Sequence, residues 1–141
     1  MQPQPFDLTA PDGTTLRGRR WVADETSTRA VVVIAHGMAE HGERYARFAN
    51  ALTGAGFAVY AADHRGHGRT AEGGTLGYFA ESDGWNRVTD DIDTVVTHAS
   101  AEHPNAPIVL FGHSMGSLLA RTYAVRHGER LTALVLSGTP A

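Results

Sequence analysis

Residues Ile108-Val109-Leu110-Phe111-Gly112-His113-Ser114-Met115-Gly116-Ser117-Leu118-Leu119-Ala120 decide how this chain of 141 residues is read. An apolar run ends in Gly112-His113-Ser114-Met115-Gly116, and a largely apolar helix is predicted to follow at once, from about Met115 to Arg126. Strand, sharp turn and helix in that order form the context of a G-x-S-x-G nucleophile elbow. The spacing has a steric reason. A Cβ at position 112 or 116 would collide as the helix folds back against the strand, so glycine at both places lets the Ser114 hydroxyl stand clear of the sheet. A nucleophilic serine also needs backbone N–H groups to hold the charge that develops on the attacked carbonyl oxygen. The amide of Met115 lies at the helix N-terminus, where unpaired N–H groups and the helix dipole both favour an anion.

The rest of the chain supplies a sheet for this turn to sit on. From Phe6 to Val22 the sequence predicts an antiparallel hairpin around Pro11-Asp12-Gly13-Thr14. The β-branched run Ala30-Val31-Val32-Val33-Ile34-Ala35 reads as a strand buried on both faces. Tyr45, Phe48, Ala49, Leu52 and Ala55 recur at helical spacing before a strand from Phe57 to Ala62, and a glycine-rich loop runs from His64 to about Gly77. Trp85, Val88, Ile92, Val95, Val96 and Ala99 make a second helical stripe, which leaves Asp90, Asp91 and Asp93 on its solvated side. A sixth strand, Leu131 to Leu136, is apolar enough to suit the interior of a sheet. Strands alternating with helices predict an α/β fold: a mostly parallel sheet with helices on both faces, in one domain spanning residues 1–141.

Composition removes several kinds of protein. All 12 basic residues are arginine, so a phosphate loop that needs lysine is excluded. With no cysteine there is no disulfide framework, thiolate metal site or cysteine nucleophile. A net charge of −3 gives no footprint for nucleic acid. The apolar runs are far shorter than the roughly 20 residues that span a bilayer, and no leader-like segment opens the chain, which together predict a cytoplasmic protein. Gly66-His67-Gly68-Arg69-Thr70-Ala71 formally matches G-x-G-x-x-[GA], but polar residues separate it from the strand and more glycines follow where a helix should start. His36, His41, His64 and His67 lack a carboxylate or supporting pattern for a metal. No cofactor and no metal are expected.

The loop after the first parallel strand, His36-Gly37-Met38-Ala39, is placed to give the second N–H donor. Met38 is the candidate, Gly37 permits the turn, and His36 braces the loop. Taken together, His36-Gly37-Met38-Ala39-Glu40-His41-Gly42-Glu43-Arg44-Tyr45, Asp63-His64-Arg65-Gly66-His67-Gly68 and Gly112-His113-Ser114-Met115-Gly116 resemble the α/β-hydrolase superfamily. More narrowly they are similar to its monoacylglycerol lipase, lysophospholipase and serine-aminopeptidase-like branch. Two positions depart from the pattern: Ala39 stands where a second glycine is frequent, and Ser117 where a third glycine often follows the elbow.

The resemblance implies Ser114 as nucleophile, with Met38 and Met115 as the oxyanion hole and His36, Gly37, Gly112, His113 and Gly116 as supporting residues. It implies an acyl ester substrate of the monoacylglycerol or lysophospholipid kind and transient contact with a lipid surface. In such enzymes the chain order is serine, acid, histidine. After Ser114 only Glu129 and His127 qualify here, at the far end of the predicted helix and about 18 Å away at 1.5 Å per residue. The expectation is therefore an N-terminal part of the fold, its first six strands, completed by a second polypeptide that brings the acid and the base. A peptidase or small-ester carboxylesterase on the same fold, and a binding module without catalysis, are the alternative readings.

Overall fold

The computed structural model describes residues 1–23 and 27–141. Strands β1 (Gln4–Thr9) and β2 (Thr15–Trp21) form the antiparallel hairpin, and Thr9 faces Thr15 across the turn. There Asp12 accepts a hydrogen bond from the Thr14 amide at 3.2 Å, and Gly13 takes a φ of 87° that a side chain would resist. Strand β3 (Ala30–Ala35) is followed by a short 3₁₀ turn, Gly42–Tyr45, and helix α1 (Ala46–Gly54). Then come β4 (Phe57–Ala62), α2 (Gly84–Glu102), β5 (Ile108–His113), α3 (Met115–His127) and β6 (Ala133–Ser137). The last strand starts two residues later than Leu131 and runs one beyond Leu136, because a 3₁₀ turn at Gly128–Arg130 delays it.

The sheet order is β1-β2-β4-β3-β5-β6. Strand β3 pairs in parallel with β4 on one side and β5 on the other, and β6 pairs in parallel with β5. Alternation along β3 explains its unbroken apolar run: Val31, Val33 and Ala35 pack with residues of α2 and α3, while Val32 and Ile34 pack against Ala49 of α1. Helices thus cover both faces and carry the chain between parallel strands. The strands' carboxyl ends, where β3, β4 and β5 turn into loops, gather the motifs at one edge of the sheet.

One expectation is corrected. Asp91 is buried rather than solvated, 3% exposed, because it stands three residues after Val88 and four before Val95, on the stripe itself. Its carboxylate accepts from Arg65 Nε and Nη2 at 2.6 and 2.9 Å. Asp90 and Asp93 are half-buried and paired with Arg126 and Arg130. Strand β6 is the outer strand among the described residues, with Leu134, Val135 and Leu136 at least 37% exposed. Among those residues no helix is long and apolar enough to cross a membrane.

Candidate active site

Ser114 is the residue between β5 and α3, and it is exposed. Its backbone sits at φ 52°, ψ −118°, a conformation that costs a serine on the order of 1–3 kcal/mol. The flanking glycines are there because nothing larger fits. An ideal Cβ at Gly116 would lie 2.0 Å from the Ala35 carbonyl oxygen, and one at Gly112 would lie 2.5 Å from that of Gly116. The Ser114 carbonyl accepts from the Ser117 amide at 2.9 Å and from the Ser117 hydroxyl at 2.5 Å. The serine at 117 therefore gives the strained turn an extra brace where a glycine could not. Ser114 donates its own amide to the Ser137 carbonyl of β6 at 2.9 Å, so that N–H faces the sheet. The amide of Met115, first residue of α3, has no acceptor within the helix. His113 points elsewhere, its Nδ1 3.1 Å from the Ser137 hydroxyl.

The loop after β3 abuts this turn: a Cβ at Gly37 would stand 3.4 Å from the His113 carbonyl oxygen. His36 is fully buried, and its ring fixes the loop from below. The His64 amide donates to His36 Nε2 at 2.9 Å, which assigns the proton to Nδ1, and Nδ1 donates to the Gly37 carbonyl at 2.8 Å. Among the described residues no peptide bond is cis. In a planar trans peptide the N–H opposes the preceding C=O. With the Gly37 carbonyl held inward by His36, the Met38 N–H must point away from that ring. Ala39 follows at φ 60°, the left-handed region, which gives the physical reason a glycine suits that position. Met38 and Leu76, 70% and 80% exposed, rim a cleft of about 410 Å³ between this loop and the one after β4.

Burial pushes the His36 imidazole down from 6.5 to about 4, and burial likewise takes His64 well below its ordinary value. Both rings are neutral in the folded protein near neutrality. Unfolded, they would take up protons as the pH falls past 6.5, so stability drops between about pH 6.5 and 4. For His36 the shift corresponds to about 3 kcal/mol. Urea unfolding midpoints measured from pH 7.5 to 4 should fall steeply over that window; a flat series would contradict the assignment.

The loop after β4 is tied down by buried charge. Asp63, 1% exposed, accepts from the Gly42 amide at 2.7 Å and the Arg69 amide at 2.8 Å, linking the loops after β3 and β4. Gly68 has no room for a side chain, since its Cβ would lie 2.3 Å from the Asp63 carboxylate. Arg65 bridges Asp91 of α2 and Asp12 of the hairpin turn. The Gly66-to-Ala71 segment enters a 3₁₀ turn, not the helix that a dinucleotide site requires. His36, His64 and His67 are buried together with ring centroids 4.1 to 6.5 Å apart. Among the described residues no group of three or more His, Cys, Asp or Glu is arranged to hold a metal.

Sheet order, elbow and loop placement define an α/β hydrolase. Residues 26–141 match the family described as serine aminopeptidase, S33, and the chain belongs to that family. A monoacylglycerol lipase of Mycolicibacterium smegmatis is 42% identical over 118 residues, covering 84% of this chain and 40% of that protein. The human monoglyceride lipase is 31% identical over 136 residues, covering 92% and 41%. A thermostable carboxyl esterase from Bacillus coagulans, solved with glycerol, superposes with a TM-score of 0.88 at 33% identity, covering 96% of this chain and 44% of that one. The chain spans about two fifths of the length of the curated relatives it matches. The chain thus shares its fold with proteins described as lipases and esterases.

Proposed function

We propose that residues 1–141 carry the nucleophile and the oxyanion hole of a serine hydrolase acting on carboxylic esters of the monoacylglycerol or lysophospholipid kind, in the cytoplasm and in transient contact with lipid surfaces. The observation that supports this most is Ser114 itself, an exposed hydroxyl on a strained turn between a buried strand and a helix, with glycine forced on both sides. Ser114 Oγ attacks the ester carbonyl carbon while a base takes its proton. The negative oxygen is received by the amides of Met38 and Met115. Collapse expels the alcohol, which takes up that proton, and leaves an acyl-enzyme that water then hydrolyses. The apolar rim formed by Met38 and Leu76 suits an acyl chain.

The base and its acid come, in this reading, from polypeptide other than residues 1–141, paired alongside β6. Six of the eight histidines are engaged away from Ser114: His36, His64 and His67 are buried in hydrogen bonds of their own, His98 and His103 sit by Tyr60 near the end of α2, and His113 Nδ1 meets the Ser137 hydroxyl. His127 ends α3, more than three helical turns from Ser114. The test is labelling by a fluorophosphonate. Isolated residues 1–141 should label weakly and the completed protein strongly, at Ser114; strong labelling of the isolated chain would place the base within it. A well-behaved, cooperatively melting monomer of these 141 residues would instead favour a module that binds without catalysis.

The family's description favours a second reading, a peptidase on the same scaffold. Turnover of monoacylglycerols against aminoacyl anilides separates the two, and faster anilide cleavage would replace the lipase reading.

A further inference from the structure

We infer that Glu40 is a positioning residue for the oxyanion loop, its carboxylate clamping the Gly37 amide so that the next amide, that of Met38, is held at one angle to the Ser114 turn. The inference rests on the reading of Ser114 as nucleophile. Glu40 lies three residues beyond Gly37 and reaches back along the chain, as a helix-capping glutamate does. Its Oε1 accepts from the Gly37 amide at 2.6 Å and from the Tyr45 hydroxyl at 2.6 Å. Its Oε2 faces Arg44 Nη1 at 3.0 Å, and the side chain is 9% exposed.

The clamp is referenced to the strand that carries the nucleophile. The Tyr45 ring packs edge-on against Phe111 of β5, with centroids 6.2 Å apart. Phe111 lies three residues before Ser114. A line of contacts therefore runs from β5 through Tyr45 and Glu40 to Gly37, whose other face meets the His113 carbonyl. The Gly37 residue is consequently held by both its polar groups: His36 takes the carbonyl and Glu40 takes the amide. The first of these points the Met38 N–H outward. The second stops the loop from rolling about the axis that remains, against the pull of Ala39 in its left-handed conformation.

The chemistry asks for a carboxylate here. All three groups that reach Glu40 are donors, so only an acceptor with two oxygens satisfies them, and a glutamine would turn an NH₂ toward Arg44 or Tyr45. Burial by itself would raise the carboxyl, but the hydrogen bonds from Tyr45 and Gly37 and the charge of Arg44 carry it below the usual range. The clamp stays ionised through neutral pH. Because its carboxylate is taken up by the Gly37 amide, Tyr45 and Arg44, its effect falls mainly on the transition state, where the oxyanion exists, rather than on substrate binding.

The experiment compares Glu40→Gln, Glu40→Ala, Tyr45→Phe and Ser114→Ala in the active protein, with steady-state hydrolysis of a medium-chain monoacylglycerol and inhibition by a trifluoromethyl ketone, whose adduct carries the oxyanion. Expected are kcat losses of about 100-fold for the alanine, about 10-fold for the glutamine and about 3-fold for Tyr45→Phe, with KM within twofold and the ketone weakened in step with kcat. Wild-type kcat and ketone affinity in a folded Glu40→Gln, or losses that merely track the folded fraction, would overturn the inference. If both Glu40 variants fail to fold, Tyr45→Phe decides it by the same two readouts. A Ser114→Ala that keeps its activity would remove the nucleophile reading and this inference with it. A dead Ser114→Ala beside an unaffected Glu40→Gln would remove this inference alone.

Discussion

Replacing Ser114 by alanine in the active protein should lower ester hydrolysis by about 10⁴- to 10⁶-fold, the range found when a serine nucleophile is removed from an otherwise intact site. The residue left behind still sits at φ 52°, so the alanine protein should melt close to the parent. Ser114→Gly should be equally inactive and more stable, by about 1–3 kcal/mol, because glycine adopts that conformation without strain. The pair separates chemistry from folding. Activity surviving either change would remove Ser114 from the mechanism, and a glycine variant no more stable than the alanine would mean the turn stores no strain. The check is the initial rate together with a denaturant melt on all three proteins.

Gly116→Ala should be the most damaging single methyl in the chain. The new carbon would lie 2.0 Å from the Ala35 carbonyl oxygen and 2.5 Å from that of His36, both backbone atoms at the end of the central strand. Neither α3 nor β3 can move without disturbing the core that Leu119, Ala120 and Val33 share. We expect a loss above about 4 kcal/mol, beyond the usual range of point substitutions, seen as insoluble or unfolded protein. Gly128→Ala is the control: it has open space around the Cβ and a φ of −58°, and should be neutral or slightly stabilising. Equal behaviour of the two variants would mean that the close packing of helix on strand is not what fixes the elbow.

The elbow and the sheet were legible because their physics is local. A glycine-serine-glycine turn after an apolar strand has few interpretations, and six β-branched or small apolar residues in a row, Ala30–Ala35, need cover on both faces. The hairpin was legible from its turn chemistry alone. What sequence reading missed was the second layer of charge. Asp91 was assigned to solvent because aspartate is usually exposed, although its register placed it on the buried stripe; its partner Arg65 lies 26 residues away, and no short-range pattern announces such a pair. Glu40 lies between His36 and Tyr45 at a spacing of three from Gly37, a back-reaching pattern that the sequence does carry. Asp63, joining two loops through their amides, carries no such clue, since backbone donors leave no trace in the sequence.

The bond from the Ser114 amide to the Ser137 carbonyl has a consequence for how exchange with solvent would behave. That amide reports on whether β6 is in place, although it belongs to the turn between β5 and α3. Among the described residues β6 has one neighbour, β5, and its Leu134, Val135 and Leu136 are open to water. If its outer backbone groups gain a partner strand, the opening of β6 becomes rarer and deuterium should enter the Ser114 amide more slowly. Labelling kinetics at a single residue would then read the addition of a strand beside β6 from the turn between β5 and α3. The Ser114 turn is thereby tied to β6, and its resting geometry is only as persistent as that strand's attachment.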